Sequence, residues 1–571
     1  IFFQMANFDK GAFVDVAQTS HIDLTFESIG TMQMGLAYPV LHKTIVPKDE
    51  FTLTINDIMR LAPMQSPVFD DLSLHFRAFF VPNRVLDPRW KEFITGGVGL
   101  YGSSENEIEN LSFTPRSLVS YNDFELSPLS GGVTRSTAGL GSLADWLNFH
   151  FAGYNGDGDP CYGVNEDGMG IDEELLTYAN TSSKHFDILP FLGYWKIYDD
   201  WYRNERVQPE MLPDMINHFT QLSTRVWDEN DARTERPDSV CPFRLFRVNY
   251  SKDRYTTALP EPTIGGDVTY LPDSAEVRAT QGINSLNNTY PVGTVNADGP
   301  GERVFSYNGT SQPALLYATL ASSVQATIQS LKASFKMYDF FMKDTYGGNR
   351  YVEFIQNHFD VTVPDATLDR AIYLGDTKVR VSFGEVFQTS QGDGSSDSGV
   401  LGDYSGRGAA YVQDGYMFKS FFREHGQLYV IASIVPRAKY FQGIDRKFFK
   451  DGRFSYFFPE FQNIGDDSLF TSELFNSGFH TDDQDKIFGF NARWIDLKES
   501  LDEVHGDFLN TMNDYHFGRY FIEDPQIGTT FSKVPTNNRP FSVTDSFSAN
   551  YLLNMQFVLK AQRPMMLHES F

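Results

Sequence analysis

Short segments in which every second residue is apolar recur at widely separated points of the chain. The clearest covers residues 72–80, where apolar side chains alternate with polar ones: Leu72, Leu74, Phe76, Ala78 and Phe80. This period of two is typical of a β-strand with one buried face. Pro82 then removes a backbone donor, and Asp87 and Pro88 add turn chemistry. The pattern predicts a strand that packs on a β-rich core and ends abruptly.

The same alternation appears near residues 51–55, 379–383 and 551–561. Between these segments lie long stretches rich in Gly, Asn, Asp, Ser and Pro, which we interpret as inserted or exposed loops: residues 97–185, 263–315 and 389–415. Strands near both ends of the chain, separated by long insertions, favour a β-sandwich. No repeat of about 20–50 residues is evident, which disfavours a propeller or a solenoid.

Two segments have helical periodicity instead. Residues 324–342 place apolar side chains at alternating spacings of three and four, which predicts an amphipathic helix before Gly347 and Gly348. Residues 189–209 carry an aromatic stripe that starts near Pro190. Such a stripe is more often core than a platform for stacking bases, so we interpret it as core.

Charge and composition limit the function classes. The chain has 571 residues with 47 basic and 74 acidic side chains, giving a net charge of −27. A surface this acidic repels nucleic acid and anionic membranes, so a contact with DNA has to be local or assisted by a basic partner. Only Cys161 and Cys241 are cysteines, which fits free thiols in a reducing cytoplasm, although the two could pair. We expect neither a membrane span nor a signal peptide.

The sequence offers little support for an enzyme, a metal or a cofactor. Asn155, Asp157, Asp159 and Glu166 have spacings similar to a calcium loop, but Pro160 stands where that loop needs glycine. A solvated loop is the favoured interpretation. Motifs of zinc proteases, phosphate-binding loops and serine hydrolases are absent. A pair of carboxylates of the glycosidase type stays possible, but no local spacing indicates one.

One segment, residues 446–458, departs from the acidic average because its cations alternate with aromatic residues. Cations beside rings that can stack on bases are typical of contacts with single-stranded nucleic acid. The alternative is that the rings are core and the cations pair with carboxylates. We predict a nucleic-acid contact formed by Arg446, Lys447, Phe448, Phe449, Lys450 and Arg453.

The order of motifs resembles that of the major capsid proteins of the Microviridae, and most closely those of the gokushovirus group. The resemblance begins at residues 46–97, which contain "FFVPNR" and a following tryptophan. Five further motifs follow in the family's order: "LPFLGYWKIYDDWYRNE", "DRYTTALPEPTIG", "YGGNRYVEFIQNHFDVTVPDA", "GYMFKSFFREHGQLYVIASIVPRAKYFQGIDRKFF" and "FSYFFPEFQNIG". The insert at 97–185 and the C-terminal "RPMMLHESF" depart from the gokushovirus pattern.

This resemblance implies a mainly β fold for residues 1–571, a single eight-stranded antiparallel jelly roll with long insertions and a few helices. It also implies a non-enzymatic virion protein, assembled in the host bacterial cytoplasm, that forms a T=1 icosahedral shell through pentamers around a circular single-stranded DNA genome. A small basic DNA-binding virion protein and a bacterial surface receptor are the other implied partners. The variable insertion at 263–315 corresponds to a protrusion near the three-fold axis that contacts the host, with candidate residues Asn287, Asn288, Tyr290 and Asn308.

Two alternatives belong to other classes. A secreted or surface β-sandwich that binds or cleaves carbohydrate would also be acidic and rich in aromatic residues. A non-viral, lectin-like jelly roll would have the same composition. The collinear motifs and the lack of a recognisable signal peptide favour the capsid interpretation.

Overall fold

The computed structural model describes the chain in the following ranges: 19–88, 90–95, 112–113, 143–149, 153–154, 160–161, 186–208, 210, 245–262, 275–280, 289–291, 315–320, 328–348, 350–387, 404–450, 452–461, 465–476, 486–544 and 548–565. The chain divides into two compact units. The first, unit 1, combines Ile1–Pro262 with Val361–Phe571, and the second, unit 2, is Thr263–Asp360.

Strands outnumber helices. The strands are β1 (Ser20–Asp23), β2 (Phe26–Met32), β3 (Tyr38–Ile45), β4 (Glu50–Leu61), β5 (Leu72–Pro82), β6 (Ser112–Phe113), β7 (Gly153–Tyr154), β8 (Pro160–Cys161), β9 (Phe186–Asp187), β10 (Ala275–Thr280), β11 (Thr289–Pro291), β12 (Leu315–Leu320), β13 (Ile372–Arg380), β14 (Ser382–Phe387), β15 (Tyr404–Phe421), β16 (Gly426–Pro436), β17 (Asp466–Phe470), β18 (Ile487–Ala492) and β19 (Tyr551–Arg563). The α-helices are α1 (Asn83–Leu86), α2 (Trp90–Ile94), α3 (Leu143–Trp146), α4 (Leu189–Ile197), α5 (Ile328–Gly347), α6 (Tyr351–Phe359) and α7 (Thr529–Ser532). A π-helical turn, Tyr198–Tyr202, continues α4, and short 3-10 turns occur at Asp365–Leu368, Arg446–Phe449, Arg453–Ser455, Pro459–Phe461, Thr471–Glu473, Ile495–Leu497, Gly506–Leu509 and Asn513–Tyr515.

Two antiparallel sheets form the centre of unit 1. In the six-stranded sheet the order is β1-β19-β4-β15-β14, with β2 also paired to β19, and in the four-stranded sheet it is β13-β5-β16-β3. The alternating residues predicted for β5 are buried, and those of β4 and β19 form the inner face of the other sheet. The expected mainly β, antiparallel jelly-roll class is confirmed, while the exact count of eight strands stays a prediction.

Helix α4 covers the outer face of the four-stranded sheet. Trp195 and Tyr194 are almost fully buried, and the Tyr429 hydroxyl of β16 donates a hydrogen bond of 2.6 Å to the Pro190 carbonyl. A side chain at Gly193 would collide with the Tyr429 ring, so glycine permits the close approach. Because both faces of β16 are covered, its sequence is apolar without alternation. The aromatic stripe at 189–209 is therefore core, as interpreted.

The predicted loop at 389–415 is wrong for its described part, since residues 404–415 belong to β15. The glycines that suggested a loop serve close packing instead. A β-carbon at Gly406 would lie 2.7 Å from the Pro67 Cα, and one at Gly408 would lie 2.8 Å from a methyl group of Leu61. The alternation at 379–383 is also not one strand, because β13 ends at Arg380 and β14 begins at Ser382.

Unit 2 has its own elements. Its strands form the three-stranded sheet β11-β10-β12, and α5 contacts α6 through the rings of Phe340, Phe354 and His358. The predicted helix at 324–342 is observed as Ile328–Gly347. The unit begins where the predicted variable insertion begins, at residue 263, but extends to 360. Asn287, Asn288 and Asn308 lie outside the described residues, and Tyr290 lies in β11.

The acidic loop considered for calcium also lies outside the described residues, which in this region are limited to short segments. Asn155, Asp157, Asp159 and Glu166 are all outside the described ranges. Within the ranges given above, no group of three or more His, Cys, Asp or Glu side chains could hold a metal ion.

Asp57 is the one acidic residue on the inner face of β4. It is 1% exposed, and neither carboxylate oxygen has a hydrogen-bond partner among the described residues. Burial raises its pKa to about 7. The folded state therefore holds a proton that the unfolded chain has already lost. Stability must fall as the pH rises from about 4 to about 7, by up to ~4 kcal/mol from this group.

We predict that Asp57→Asn, which mimics the protonated carboxyl, raises the melting temperature at pH 8 but has little effect at pH 4. Thermal unfolding of both proteins at the two pH values measures this difference. Glu27→Gln, a substitution of an exposed acid on β2 of the same sheet, is the control and should change neither value. An equal shift at both pH values would show that the buried carboxyl does not titrate as described.

Candidate nucleic-acid interface

The segment 446–458 folds as short turns on a small second core of unit 1. This core contains Tyr255, Leu469 and Phe488 and lies beside the hairpin of β17 and β18. The Asp445 carboxylate accepts a hydrogen bond of 2.9 Å from the Lys447 backbone and so starts the first turn. Because the turns are short, successive side chains point to different sides, and the segment divides into a buried and an exposed set.

Arg446 belongs to the buried set. Its guanidinium lies 2.7 Å from Asp467 and 2.7 Å from Glu473, and it donates a hydrogen bond of 2.8 Å to the Ser468 carbonyl. Burial raises the pKa of Glu473, and the charge of Arg446 opposes that rise. Removing one partner of such a pair typically costs about 3–5 kcal/mol. Arg446 is therefore a structural residue, and the prediction that it contacts nucleic acid is corrected.

Phe449 and Lys450 are only partly exposed. The Phe449 ring stacks on Phe470 with centroids 5.4 Å apart, and the Lys450 ammonium lies 3.7 Å from a carboxylate oxygen of Asp496. Their side chains are thus occupied by contacts within the protein. The core interpretation, which was the alternative in the sequence, applies to these two residues and to Arg446.

The exposed set is aromatic and cationic. Four rings are 43–74% exposed, and Lys447 lies 5.4 Å from the centre of the Phe448 ring. Arg453 lies 5.9 Å from the centre of the Phe458 ring. The ion pair of Lys447 with Asp445, at 3.3 Å, is between exposed side chains and so contributes about 1 kcal/mol or less. We name the following residues the aromatic–cation patch: Lys447, Phe448, Arg453, Phe454, Tyr456 and Phe457.

This patch has the chemistry of a single-strand contact. Stacking of a base on an exposed ring typically contributes about 1–3 kcal/mol, and Lys and Arg neutralise phosphates. Exposed rings over this short a segment also form a patch that a soluble monomer rarely leaves uncovered. The patch is therefore a candidate binding surface for nucleic acid or for protein.

A groove of about 780 Å³ elsewhere on unit 1 tests the glycosidase alternative. Three of its four carboxylates are paired with a cation: Asp70 lies 2.6 Å from Lys439, Asp71 lies 2.6 Å from Arg380, and Asp502 lies 2.7 Å from Arg437. The fourth, Glu503, lies 2.9 Å from His505, so the groove does not offer a pair of unpaired carboxylates. A general acid and base of a glycosidase must instead be available to the substrate. The groove is held together by ion pairs and gives no support to carbohydrate cleavage.

No helix among the described residues combines the length and the apolar character that crossing a bilayer requires. A β-sandwich with a large dry core and exposed aromatic surfaces is compatible with a structural protein that acts through its surfaces. The chain belongs to the phage capsid protein (F protein) family, whose model matches residues 13–122 and 160–570.

Curated relatives agree with this assignment. The chain is 25% identical to capsid protein VP1 of Chlamydia phage 1, over 94% of this chain and 92% of the relative. It is 24% identical to capsid protein VP1 of Bdellovibrio phage phiMH2K (90% and 88%) and 23% identical to that of Spiroplasma virus 4 (96% and 94%). The resemblance to Microviridae major capsid proteins is confirmed. The chain is a structural component of a virion and not an enzyme.

Proposed function

We propose that this capsid protein forms a closed T=1 shell, through pentamers, around a circular single-stranded DNA genome, as in the gokushovirus group. Membership of a capsid family implies self-assembly. The observation that carries the proposal is the set of exposed apolar side chains on a well-packed sandwich, because a subunit needs such surfaces to bury about 800 Å² per contact. Identical subunits close a shell when their contacts repeat by rotation.

The net negative charge of the subunit supports the proposal that a basic protein accompanies the genome. With a net charge of −27, the subunit repels phosphates except where cations gather locally. A separate small basic DNA-binding protein would neutralise the remaining genome charge. The aromatic–cation patch would then supply local contacts, with Lys447 and Arg453 on phosphates and Phe448, Phe454 and Tyr456 on bases.

Assembly is tested by sedimentation and negative-stain imaging of the protein alone and together with the small basic protein of its genome. We expect closed shells of one size, or pentamers that become shells when the basic protein is added. A monomer under both conditions would contradict the proposal, and a carbohydrate-binding screen would then follow.

The DNA contact is tested by Lys447→Glu combined with Arg453→Glu. Reversing two exposed charges should lower the DNA content of purified particles while leaving shells intact, because neither residue belongs to the buried ion pair of Arg446. The ratio of absorbance at 260 and 280 nm measures DNA content. The control is Lys336→Glu, at a site that is 84% exposed in unit 2. Unchanged DNA content in the double variant would assign the patch to another partner.

Residues 263–315 are proposed as the surface that meets a receptor on the host bacterium, because a Gly-, Asn- and Thr-rich insertion is suited to an exposed tip. Replacing this segment by a short Gly/Ser linker should spare assembly and abolish adsorption to host cells. Particle yield and adsorption assays separate the two effects. Loss of shells would place the segment in a subunit interface instead.

A further inference from the structure

The two sheets of the sandwich differ in what covers them. Helix α4 and its π-helical turn pack on the four-stranded sheet, where the rings of Trp201 and Phe79 are 5.7 Å apart. The outer face of the six-stranded sheet carries large exposed side chains instead. Ile29 on β2 is 80% exposed, and Tyr411 and Tyr416 on β15 are 64% and 60% exposed. This open face is separate from the aromatic–cation patch in sequence and in secondary structure.

The backbone of β15 is irregular where it presents the two tyrosines. Residues 411 and 416 are separated by an odd number, so regular alternation would point one ring outward and the other into the core. A shift of register between Val412 and Gly415 changes this parity, and a second between Tyr416 and Phe418 follows it. Both rings are therefore exposed, while Val412 and Phe418 stay buried.

The first irregularity requires an unusual backbone. Asp414 has a φ of 52°, in the left-handed region that non-glycine residues seldom adopt. A β-carbon at Gly415 would lie 2.7 Å from a methyl group of Val412. Bulges of this kind often re-aim a side chain at a functional surface. The bulge thus has a definite consequence here, which is to put Tyr416 on the same face as Tyr411.

The two rings have both apolar and polar neighbours on this face. Tyr411 is opposite Ile58, and Asn554 lies between Ile58 and Ile29 across the sheet. One row away, the Asn56 amide donates a hydrogen bond of 3.0 Å to Gln556. Tyr416 is opposite Thr54, so the two rings are four residues apart along β4, or about 13 Å. Rings separated by amides and hydroxyls suit separate bases better than a continuous apolar interface core.

The charge of this face also differs from that of the whole chain. Its outward-facing charged residues on β1, β2, β4, β15 and β19 include four cations and four acids: Arg60, Arg407, Lys419, Lys560, Asp23, Glu27, Glu50 and Asp414. One acid, Glu50, is paired with Lys419. The chain as a whole has 47 cations and 74 acids. The open face is thus one of the places where an anionic strand meets little repulsion.

We propose that the outer face of the six-stranded sheet binds single-stranded nucleic acid. Tyr411 and Tyr416 stack on bases, the amides of Asn56, Asn554 and Gln556 bond to base edges, and the surrounding cations contact phosphates. The inference rests on the proposed function, since a shell around a single-stranded genome presents such a strand to its subunits. It adds a second surface whose rings, residues and test are distinct from those of the aromatic–cation patch.

The test measures binding of a fluorescent oligo(dT) of about 20 nucleotides to the full chain by anisotropy. Tyr411→Ala and Tyr416→Ala should each weaken binding about tenfold, because each removes one base-stacking ring. Tyr411→Phe and Tyr416→Phe keep the ring and should keep the affinity. Tyr520→Ala removes a tyrosine that is 56% exposed elsewhere on unit 1 and serves as the matched control.

Unchanged affinity in both alanine variants would overturn the inference. Loss of shell assembly with unchanged oligonucleotide affinity would also overturn it and would make the face a subunit interface. If the alanine variants do not fold, photocross-linking of the wild-type chain to an iododeoxyuridine oligonucleotide replaces them. Cross-links within residues 404–421 support the inference, and cross-links confined to the aromatic–cation patch overturn it. Failure of the wild-type chain to form shells would contradict the proposed function alone, because oligonucleotide binding is measured independently.

Discussion

The pairing of the last strand, β19, with the first strands of the chain is the interaction on which the rest of the structure depends. β19 pairs with β1 and β2 on one edge and, over twelve residues, with β4 on the other. Its inward side chains, from Tyr551 to Ala561, are at most 3% exposed. Removing this strand would separate β1 and β2 from β4 and the rest of the six-stranded sheet. The sandwich is therefore complete only when both ends of the described chain have come together.

This closure explains why the insertions can be long. Apart from β14 and β15, neighbouring strands of the two sheets are not consecutive in the chain, so most connections cross the outside of the sandwich, where backbone can reach water. Lengthening such a connection adds little to the cost of closing it. The aromatic–cation patch, on the connection between β16 and β19, and unit 2, on that between β5 and β13, both arise in this way. These connections carry exposed surfaces, while the paired strands form the core.

The alternation of apolar and polar residues predicted those strands that have one buried face and one more exposed face. β4, β5 and β19 alternate because one face is dry and the other is not, and each was recognisable from a few residues. The part of β15 at 404–415 was not recognisable as a strand. Its glycines are required by close packing against Pro67 and Leu61, which are distant in sequence. Arg446 was misassigned for the same reason: its partners Asp467 and Glu473 lie on a later hairpin and turn. The exposure of Tyr416 depends on a bulge, and no residue pattern in the segment marked one.

Acidity and assembly impose opposite requirements on the same subunit. Copies that each carry a charge of −27 repel one another and the genome, so attraction must come from limited areas where charges are few or basic. Among the areas with exposed rings, the aromatic–cation patch and the open face of the six-stranded sheet meet this requirement. In both, ordered protein contacts hold the neighbouring groups in place: the buried pair of Arg446 and Glu473 beneath the patch, and the bulge of β15 on the sheet. A rigid scaffold thus presents the rings, so that binding a strand or a neighbouring subunit orders few additional side chains.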